Sequence, residues 1–192
     1  MDSKDEKFKI VIDTVFKLVD DFGIDHTTIS LVSSHSGVSR GWIYKYIASD
    51  IEGVLRFALK EYASEFARFS DLVDYSDSVK LKDSIIEFSK DMFIRLKKDP
   101  SIIKIYFSHY LSTNLIGEVI REIDTKYLEH LAENFKQSYG FSSEDALIKA
   151  RLFHSMRMGG LLSLVANYEN DIDGSETEFL RLVENFFKHL SD

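Results

Sequence analysis

Residues 27–47 read TTISLVSSHSGVSRGWIYKYI and carry the signals of two short helices joined by a tight turn. Thr28 is a favourable N-cap residue for a first helix. Gly37 stands where a chain that leaves this helix needs a positive φ. Ser39 is a second N-cap residue, and the apolar Ile43 follows it one helical turn later. We therefore predict a helix, a turn and a second helix over these positions.

Two short helices with this turn are typical of the helix-turn-helix, whose second helix enters the major groove of DNA. Arg40 and Lys45 lie on the predicted second helix and have side chains that reach base edges and phosphates. The alternative is that both are ordinary solvated residues on a surface helix. No Asp or Glu occurs from His26 to Ser49, although the chain has 32 acidic residues among 192. The missing acids favour a phosphate-facing surface.

The same residues resemble the DNA-binding domain of the TetR family of repressors. The resemblance rests on the Thr-Thr pair, Gly-Val-Ser-Arg-Gly and Tyr-Lys-Tyr, on a preceding amphipathic helix that ends at Phe22-Gly23, and on a long helix that follows. It covers roughly the first quarter of the chain with ordered motifs. The rest is similar in length and helical architecture only. The resemblance implies DNA binding by the following residues: Thr28, Ser39, Arg40, Gly41, Trp42, Tyr44, Lys45 and Tyr46.

Several of these positions carry more specific expectations. Tyr46 is expected to hydrogen-bond a phosphate, whereas Tyr44 is expected to be partly buried. Trp42 stands where the family has a small residue; it either packs on a thymine methyl or sugar edge or acts as a wedge in the small core. Ile47 replaces a Phe, which is a tolerated loss of volume. Asp50 replaces a Lys, and it either repels phosphate or stabilises the start of the next helix.

Apolar residues recur at helical spacing almost throughout the chain, and Pro occurs once. We predict an all-α fold of about nine helices from this periodicity. Residues 1–48 are predicted to form the DNA-binding domain with its helix-turn-helix. Residues 49–192 are predicted to form a helical bundle for ligand binding and dimerisation. Ser49-Asp50-Ile51-Glu52 has the form of a capping box that opens the long fourth helix.

The C-terminal two-thirds of the chain is rich in aromatic residues and places a few polar residues on apolar faces. An aromatic stripe at helical spacing is most often ordinary core, and a buried histidine is most often satisfied within that core. A polar side chain on such a face is costly without a partner. In the TetR family this domain holds an apolar inducer pocket. The resemblance implies a ligand site formed by Phe88, Met92, Tyr106, His109, Tyr110, Tyr127, Phe153, His154 and Arg157.

The last two predicted helices resemble the four-helix dimer interface of the family. Glycines within the eighth helix lower its stability, which is understandable if another helix or a ligand approaches closely. Two adjacent Phe residues in the ninth helix point about 100° apart, so one serves the core and the other a partner. The alternative is a helix buried on two sides within one subunit. The predicted dimer residues are Gly159, Gly160, Phe179, Val183, Phe186 and Phe187.

Composition excludes several other classes of protein. The chain has no Cys, which excludes disulfides, thiolate catalysis and Cys-based zinc sites. Its net charge of −8 argues against a protein that coats nucleic acid non-specifically. The six His show no metal-ligand pair on one helical turn, and no phosphate-binding loop or nucleophile elbow is present. We therefore predict no enzyme, no metal site and no cofactor.

The polar N-terminal sequence is unlike a signal peptide, and no run approaches the ~18 apolar residues of a membrane span. We therefore expect a cytoplasmic protein without a membrane partner. The predicted function is a ligand-responsive, homodimeric repressor that a small apolar or aromatic molecule releases from a double-stranded DNA operator. The alternative is a TetR-like ligand-binding or interaction protein with weak or lost operator binding, which Asp50 and Trp42 motivate. An all-α enzyme has no catalytic constellation behind it.

Overall fold

The computed structural model describes residues 3–66, 77–98, 100–166 and 172–190. This part of the chain forms nine α-helices and one short 3-10 helix (Ile24–His26), and contains no strand. The all-α prediction is confirmed. The helices are α1 (Lys4–Phe22), α2 (Ile29–Ser36), α3 (Arg40–Tyr46), α4 (Ile51–Phe66), α5 (Ser78–Lys98), α6 (Ser101–His109), α7 (Leu115–Tyr139), α8 (Ser143–Ala166) and α9 (Ile172–Lys188).

The chain divides into two compact units. The first comprises Met1–Glu65 and Lys104–Ile123, and the second comprises Phe66–Ile103 and Asp124–Asp192. One continuous helix, α7, therefore begins in the first unit and ends in the second. The first unit contains the predicted DNA-binding residues together with α4. The functional boundary predicted between residues 48 and 49 stays a prediction.

Local sequence explains how α1 begins, packs and ends. The Ser3 hydroxyl caps the helix by accepting a hydrogen bond from the Glu6 amide at 3.2 Å. Val11 and Val15 lie four residues apart on one face, and both are completely buried. The helix ends at Gly23, whose φ of 81° is one that other residues rarely adopt. The apolar face of α1 packs on α2 and so supports the helix-turn-helix.

Ion pairs join α4 to the beginning of α7 within the first unit. Arg56 lies 3.9 Å from Glu118 and 3.6 Å from Glu122. Lys60 donates to Glu122 at 3.2 Å. Each pair is partly exposed, so it contributes little stability alone. Together they define the side of α4 that faces α7.

A closely hydrogen-bonded turn connects α6 to α7. The Asn114 side-chain oxygen caps α7 by accepting from the Gly117 amide at 3.0 Å. Arg121 donates to the carbonyl oxygens of Tyr110 at 2.8 Å and Ser112 at 2.7 Å. A Cβ atom on Gly117 would collide with the Ser112 carbonyl oxygen. The turn therefore requires glycine at this position because backbone passes so close to it.

The second unit has an aromatic core in which α9 packs on α5 and α8. The rings of Phe93 and Phe179 have their centroids 4.9 Å apart. Phe153 lies 5.7 Å from Phe187 and 6.4 Å from Phe135, measured between ring centroids. All five side chains are buried. Their burial accounts for the aromatic richness of the C-terminal part of the chain.

Candidate nucleic-acid interface and buried polar cluster

The helix-turn-helix is held by the caps that the sequence predicted. The Thr28 hydroxyl accepts a hydrogen bond from the Leu31 amide at 3.2 Å at the start of α2. Gly37 ends α2 in the left-handed conformation, with φ of 70°. The Ser39 hydroxyl accepts from the Trp42 amide at 3.3 Å and starts α3. Both predicted N-caps and the predicted turn glycine are therefore confirmed.

The two sides of α3 differ in character. Ile43 is completely buried and anchors the helix to the small core. Arg40, Tyr44 and Lys45 are exposed. The sequence around them contains no acidic residue. The charged and aromatic side chains that α3 itself exposes to solvent are therefore basic or tyrosine side chains. This composition suits a surface that approaches phosphates and base edges.

Trp42 packs inside the small helical domain. Its ring centroid lies 5.1 Å from that of Phe8 on α1 and 5.1 Å from that of Tyr46. Phe8 in turn lies 5.3 Å from Phe57 on α4. Trp42 is therefore a wedge in the small core, which is one of its two predicted roles. Contact between DNA and its remaining exposed edge stays a prediction.

Both tyrosines of α3 are exposed, Tyr44 at 51% and Tyr46 at 38%. Tyr46 is the more covered of the two, because Trp42 and Tyr46 lie one helical turn apart and pack together toward α1. The ammonium groups of Lys4 and Lys45 each lie 4.9 Å from the centroid of the Tyr46 ring.

Positive charge gathers around the Tyr46 phenol. The pKa of Tyr46 lies below its ordinary value, mainly because the Lys45 ammonium hydrogen-bonds to the phenol and favours its ionised form. The charges of Lys4 and Lys7 on α1 lower this pKa further. Lysines from two helices thus meet beside one exposed hydroxyl. Such a group can hold a DNA phosphate.

Gly41 lies on the exposed side of α3. A Cβ atom built on it would meet nothing within 4 Å, and its backbone is ordinary helix. The fold therefore does not require glycine at this position. The missing side chain leaves room for close approach by a ligand or a DNA backbone.

Asp50 caps the start of α4. Its Oδ1 atom accepts a hydrogen bond from the Gly53 amide at 2.7 Å, and the Ser49 hydroxyl donates to Oδ2 at 3.5 Å. The capping box predicted to begin at Ser49 is therefore wrong by one residue. The Asp50 carboxylate is a stronger acceptor than the Ser49 hydroxyl. The turn before α4 is also tight, because a Cβ atom on Gly53 would lie only 2.5 Å from the Ala48 Cβ. These contacts favour the interpretation of Asp50 as a helix-start residue.

Four buried polar side chains meet in the second unit. Asp124 and Tyr127 come from α7, and His154 and Arg157 come from α8. Each pair is three residues apart and therefore shares one helix face. His154 Nε2 lies 3.3 Å from Asp124 Oδ2. The guanidinium carbon of Arg157 lies 4.3 Å from the centroid of the Tyr127 ring. We call these four residues the buried polar cluster.

The electrostatics of the buried polar cluster are unusual for a protein core. Burial raises the pKa of Tyr127, while the Arg157 charge lowers it and the Asp124 charge raises it. Within the described residues, Arg157 Nε and Nη1 and His154 Nδ1 are buried and have no hydrogen-bond partner. Buried donors without acceptors are costly. These nitrogens therefore retain unused hydrogen-bonding capacity.

Solved structures match the whole chain at low sequence identity. FadR, a fatty acid degradation regulator from Bacillus halodurans, has a TM-score of 0.70 and 19% identity, covering 99% of this chain and 97% of that chain. FadR from Bacillus subtilis, in complex with stearoyl-CoA, has a TM-score of 0.67 and 16% identity over 96% and 98%. A TetR transcriptional regulator from Legionella pneumophila has a TM-score of 0.67 and 16% identity over 98% and 97%.

The chain has the TetR fold. No protein-family model matches the sequence, and no curated protein matches it. The likeness therefore lies in the arrangement of the helices rather than in the sequence as a whole.

The residues predicted to bind a ligand belong to both units of this TetR fold. The first unit contains Tyr106, His109 and Tyr110, all half-buried, and His109 Nδ1 lies 3.2 Å from the Asn114 side-chain amide. The second unit contains Phe88, Met92, Tyr127, Phe153, His154 and Arg157. Only three of these join the buried polar cluster. Phe153 belongs to the aromatic core, and the assignment of these residues to a ligand site stays a prediction.

Asp124, the acidic member of the buried polar cluster, is not among the residues predicted from the sequence. Its signal was available, because Asp124 follows Ile120 and precedes Tyr127 and Leu131 at helical spacing. All of these residues are buried on one face of α7. An acidic residue in such a stripe indicates a buried partner, which here is His154.

The predicted dimer residues mostly face the core of their own chain in this TetR fold. Gly160, Phe179, Val183 and Phe187 are buried. A Cβ atom on Gly160 would collide with the Phe179 ring, so the close approach involves α9 of the same chain. These four residues are buried within their own chain, and their assignment to a dimer interface stays a prediction. Gly159 is exposed and Phe186 is half-buried.

Two further properties concern the part of the chain that the structure describes. No helix there is long and apolar enough to cross a membrane. Groups of three or more His, Asp or Glu side chains that could hold a metal ion are likewise absent from the described residues.

Proposed function

We propose that the protein is a ligand-responsive transcriptional regulator, a cytoplasmic homodimer that represses by binding an operator through α3. The observation that carries the proposal is the solvent side of α3. Arg40 and Lys45 are exposed there, and lysines of two helices surround the Tyr46 ring. The TetR fold supports the proposal, because regulators of known name share it.

The residues of α3 have distinct roles in this proposal. Arg40, in the first turn, reads a base edge, for which bidentate pairing with guanine is the commonest specific contact. Lys45, Lys4 and Tyr46 hold a phosphate and fix the orientation of the helix. The bare backbone at Gly41 lets the DNA approach closely. Ser39, Trp42 and Tyr44 complete the predicted contact set, and Thr28 places the start of α2 near a phosphate.

A second set of exposed residues supports the homodimer. Ile148, Leu152 and Leu162 are each half exposed or more, and they lie on α8. In chain order, Ile148, Leu152, Gly159 and Leu162 are separated by four, seven and three residues. These spacings place all four on one face of α8. A Cβ atom on Gly159 would meet nothing within 4 Å, which leaves space for a partner helix. We propose that this face of α8 pairs with its copy across a two-fold axis.

Leu152→Glu is expected to convert the dimer to a monomer while the helical content stays unchanged. The introduced carboxylate would lie in the centre of the proposed apolar face and would oppose its own copy. Leu111→Glu is the matched control, since Leu111 is 89% exposed and lies outside α8. Analytical ultracentrifugation at micromolar concentration measures the change. A wild-type protein that sediments as a monomer would contradict the dimer and the paired half-sites.

The ligand response is proposed to travel along α7. This helix carries Asp124 and Tyr127 of the buried polar cluster, and earlier it carries Glu118 and Glu122, which pair with α4. A ligand that prefers one position of α7 would shift the population of DNA-binding states. FadR from Bacillus subtilis was solved with stearoyl-CoA, which supports a ligand with a substantial apolar part.

The alternative function is a ligand-binding or interaction protein that has weak or lost operator binding. The two residues that suggest this alternative are Asp50 and Trp42. The Asp50 carboxylate accepts the Gly53 amide, and Trp42 packs on Phe8. Because both residues have structural partners, they favour the regulator over the alternative.

Selection of random double-stranded DNA with the full-length chain tests the proposed function. The recovered sequences are expected to share an inverted repeat, because a two-fold dimer reads two half-sites about 34 Å apart. Single half-sites would contradict the dimeric mechanism. Recovery of no shared sequence would contradict the regulator and favour the alternative function.

A further inference from the structure

We propose that the buried polar cluster binds the carboxylate of an apolar acid, and that Arg157 pairs with its negative charge. The inference rests on the proposed function in one respect, which is that a small molecule regulates this protein. It goes further by naming the chemical class of the ligand and the residue that recognises it.

Arg157 has hydrogen-bond donors that the protein leaves unused. Arg157 is only 7% exposed. Its Nε and Nη1 atoms are buried and have no hydrogen-bond partner within the described residues. A guanidinium stays charged in proteins. Its contact with the Tyr127 ring at 4.3 Å involves the positive charge and not the N–H donors. These donors are therefore available to acceptor oxygens of a bound molecule.

The acidic residue of the cluster is already engaged elsewhere. Asp124 Oδ2 lies 3.3 Å from His154 Nε2. His154 and Arg157 lie one turn apart on α8, and the other ring nitrogen of His154, Nδ1, is also buried without a partner. Because Nε2 donates to the Asp124 carboxylate, Nδ1 of a neutral ring is an acceptor. The oxygens of a bound carboxylate are therefore left to the Arg157 donors.

The apolar residues around the buried polar cluster indicate that the rest of the ligand is apolar. Leu131 on α7 and Leu161 on α8 are buried on the faces that carry the cluster. A small hydrophilic acid would lose its hydration there with little compensation. An apolar part would offset this loss by burying its own surface. A single guanidinium balances one negative charge, and Asp124 would repel a second, so a carboxylate fits better than a phosphate.

Isothermal titration of the full chain with matched probes tests the inference. Octanoate and 4-phenylbutyrate are compared with octanamide and 4-phenylbutyramide, which keep the shape and lose the charge. We expect at least one acid to bind about tenfold or more tightly than its amide, since a hydrogen bond to a charged group is worth that much. Octyl phosphate is expected to bind more weakly than octanoate. Tighter binding of the phosphate would contradict the carboxylate assignment.

Variants connect the preference to Arg157. In Arg157→Met, the preference for acid over amide is expected to disappear, while circular dichroism shows intact helices, because Met fills much of the volume of the Arg157 stem. Arg181→Met is the control, since Arg181 is exposed on α9. Arg157→Gln repeats the test if the Met variant does not fold. A preference that survives in both folded variants, or wild-type protein that prefers neither acid, would overturn the inference.

These titrations contain no DNA, so the inference and the proposed function fail separately. Carboxylate binding without operator binding would remove the regulator and leave the site. Operator binding without any preference for acids would leave the regulator and remove the site.

Discussion

Arg40→Ala is expected to weaken binding to the selected operator by about 1–3 kcal/mol and to relax specificity at one base pair of each half-site. Arg40 is exposed in the first turn of α3, so its removal deletes a base contact without opening the core. Gel-shift titration at fixed salt, with the operator and single-base variants, measures both effects.

Lys45→Ala is expected to weaken DNA binding in a different way from Arg40→Ala. Lys45 lies beside Tyr46 in the last turn of α3, where it neutralises a phosphate in the proposed complex. Its loss should weaken binding to all sequences equally and reduce the salt dependence by about one phosphate contact. Lys90→Ala, which removes an exposed lysine from α5, is the control. Unchanged affinity in Arg40→Ala and Lys45→Ala would remove α3 as the recognition surface.

The adjacent glycines of α8 should respond differently to the same substitution. Gly160→Ala is expected to lower the free energy of unfolding by about 1–3 kcal/mol, because the new Cβ atom overlaps the Phe179 ring and overpacks the core. The Phe179 ring is held against Phe93 and cannot move away freely. Thermal unfolding at fixed protein concentration, followed by circular dichroism, measures the loss.

Gly159→Ala is the matched control for this effect. Within its own chain this Cβ atom meets nothing within 4 Å, so the variant should escape the overpacking that Gly160→Ala causes. Equal stability changes in Gly159→Ala and Gly160→Ala would contradict the packing of α9 on α8. Sedimentation of Gly159→Ala also reports whether the proposed partner helix approaches this position.

Signals that act over one helical turn could be predicted from the sequence. Thr28, Gly37 and Ser39 are identified by local hydrogen bonding and backbone conformation, and the structure confirms all three. The predicted N-cap of α4, Ser49, is one residue too early, because Ser49 and Asp50 both have side chains that can cap a helix. Only the tight turn and the stronger acceptor decide between them.

Contacts between helices could not be predicted to the same extent. Periodicity shows that Tyr44 and Tyr46 lie on different sides of α3, but not which side meets α1. Likewise, a pair of glycines signals a close approach without showing whether the neighbour belongs to the same chain. The structure places Phe179 of the same chain over Gly160 and leaves Gly159 open. The buried polar cluster depends on Asp124, which becomes notable only once α7 and α8 are brought together.

Sequence-specific DNA binding through α3 is the central property of the proposed regulator. Fluorescence anisotropy at physiological salt measures it directly, with the selected operator and with the same duplex after both half-sites are scrambled. We expect the protein to bind the operator about 10³-fold or more tightly than the scrambled duplex, as specific DNA-binding proteins do. Equal affinity for the two duplexes would contradict the proposed regulator.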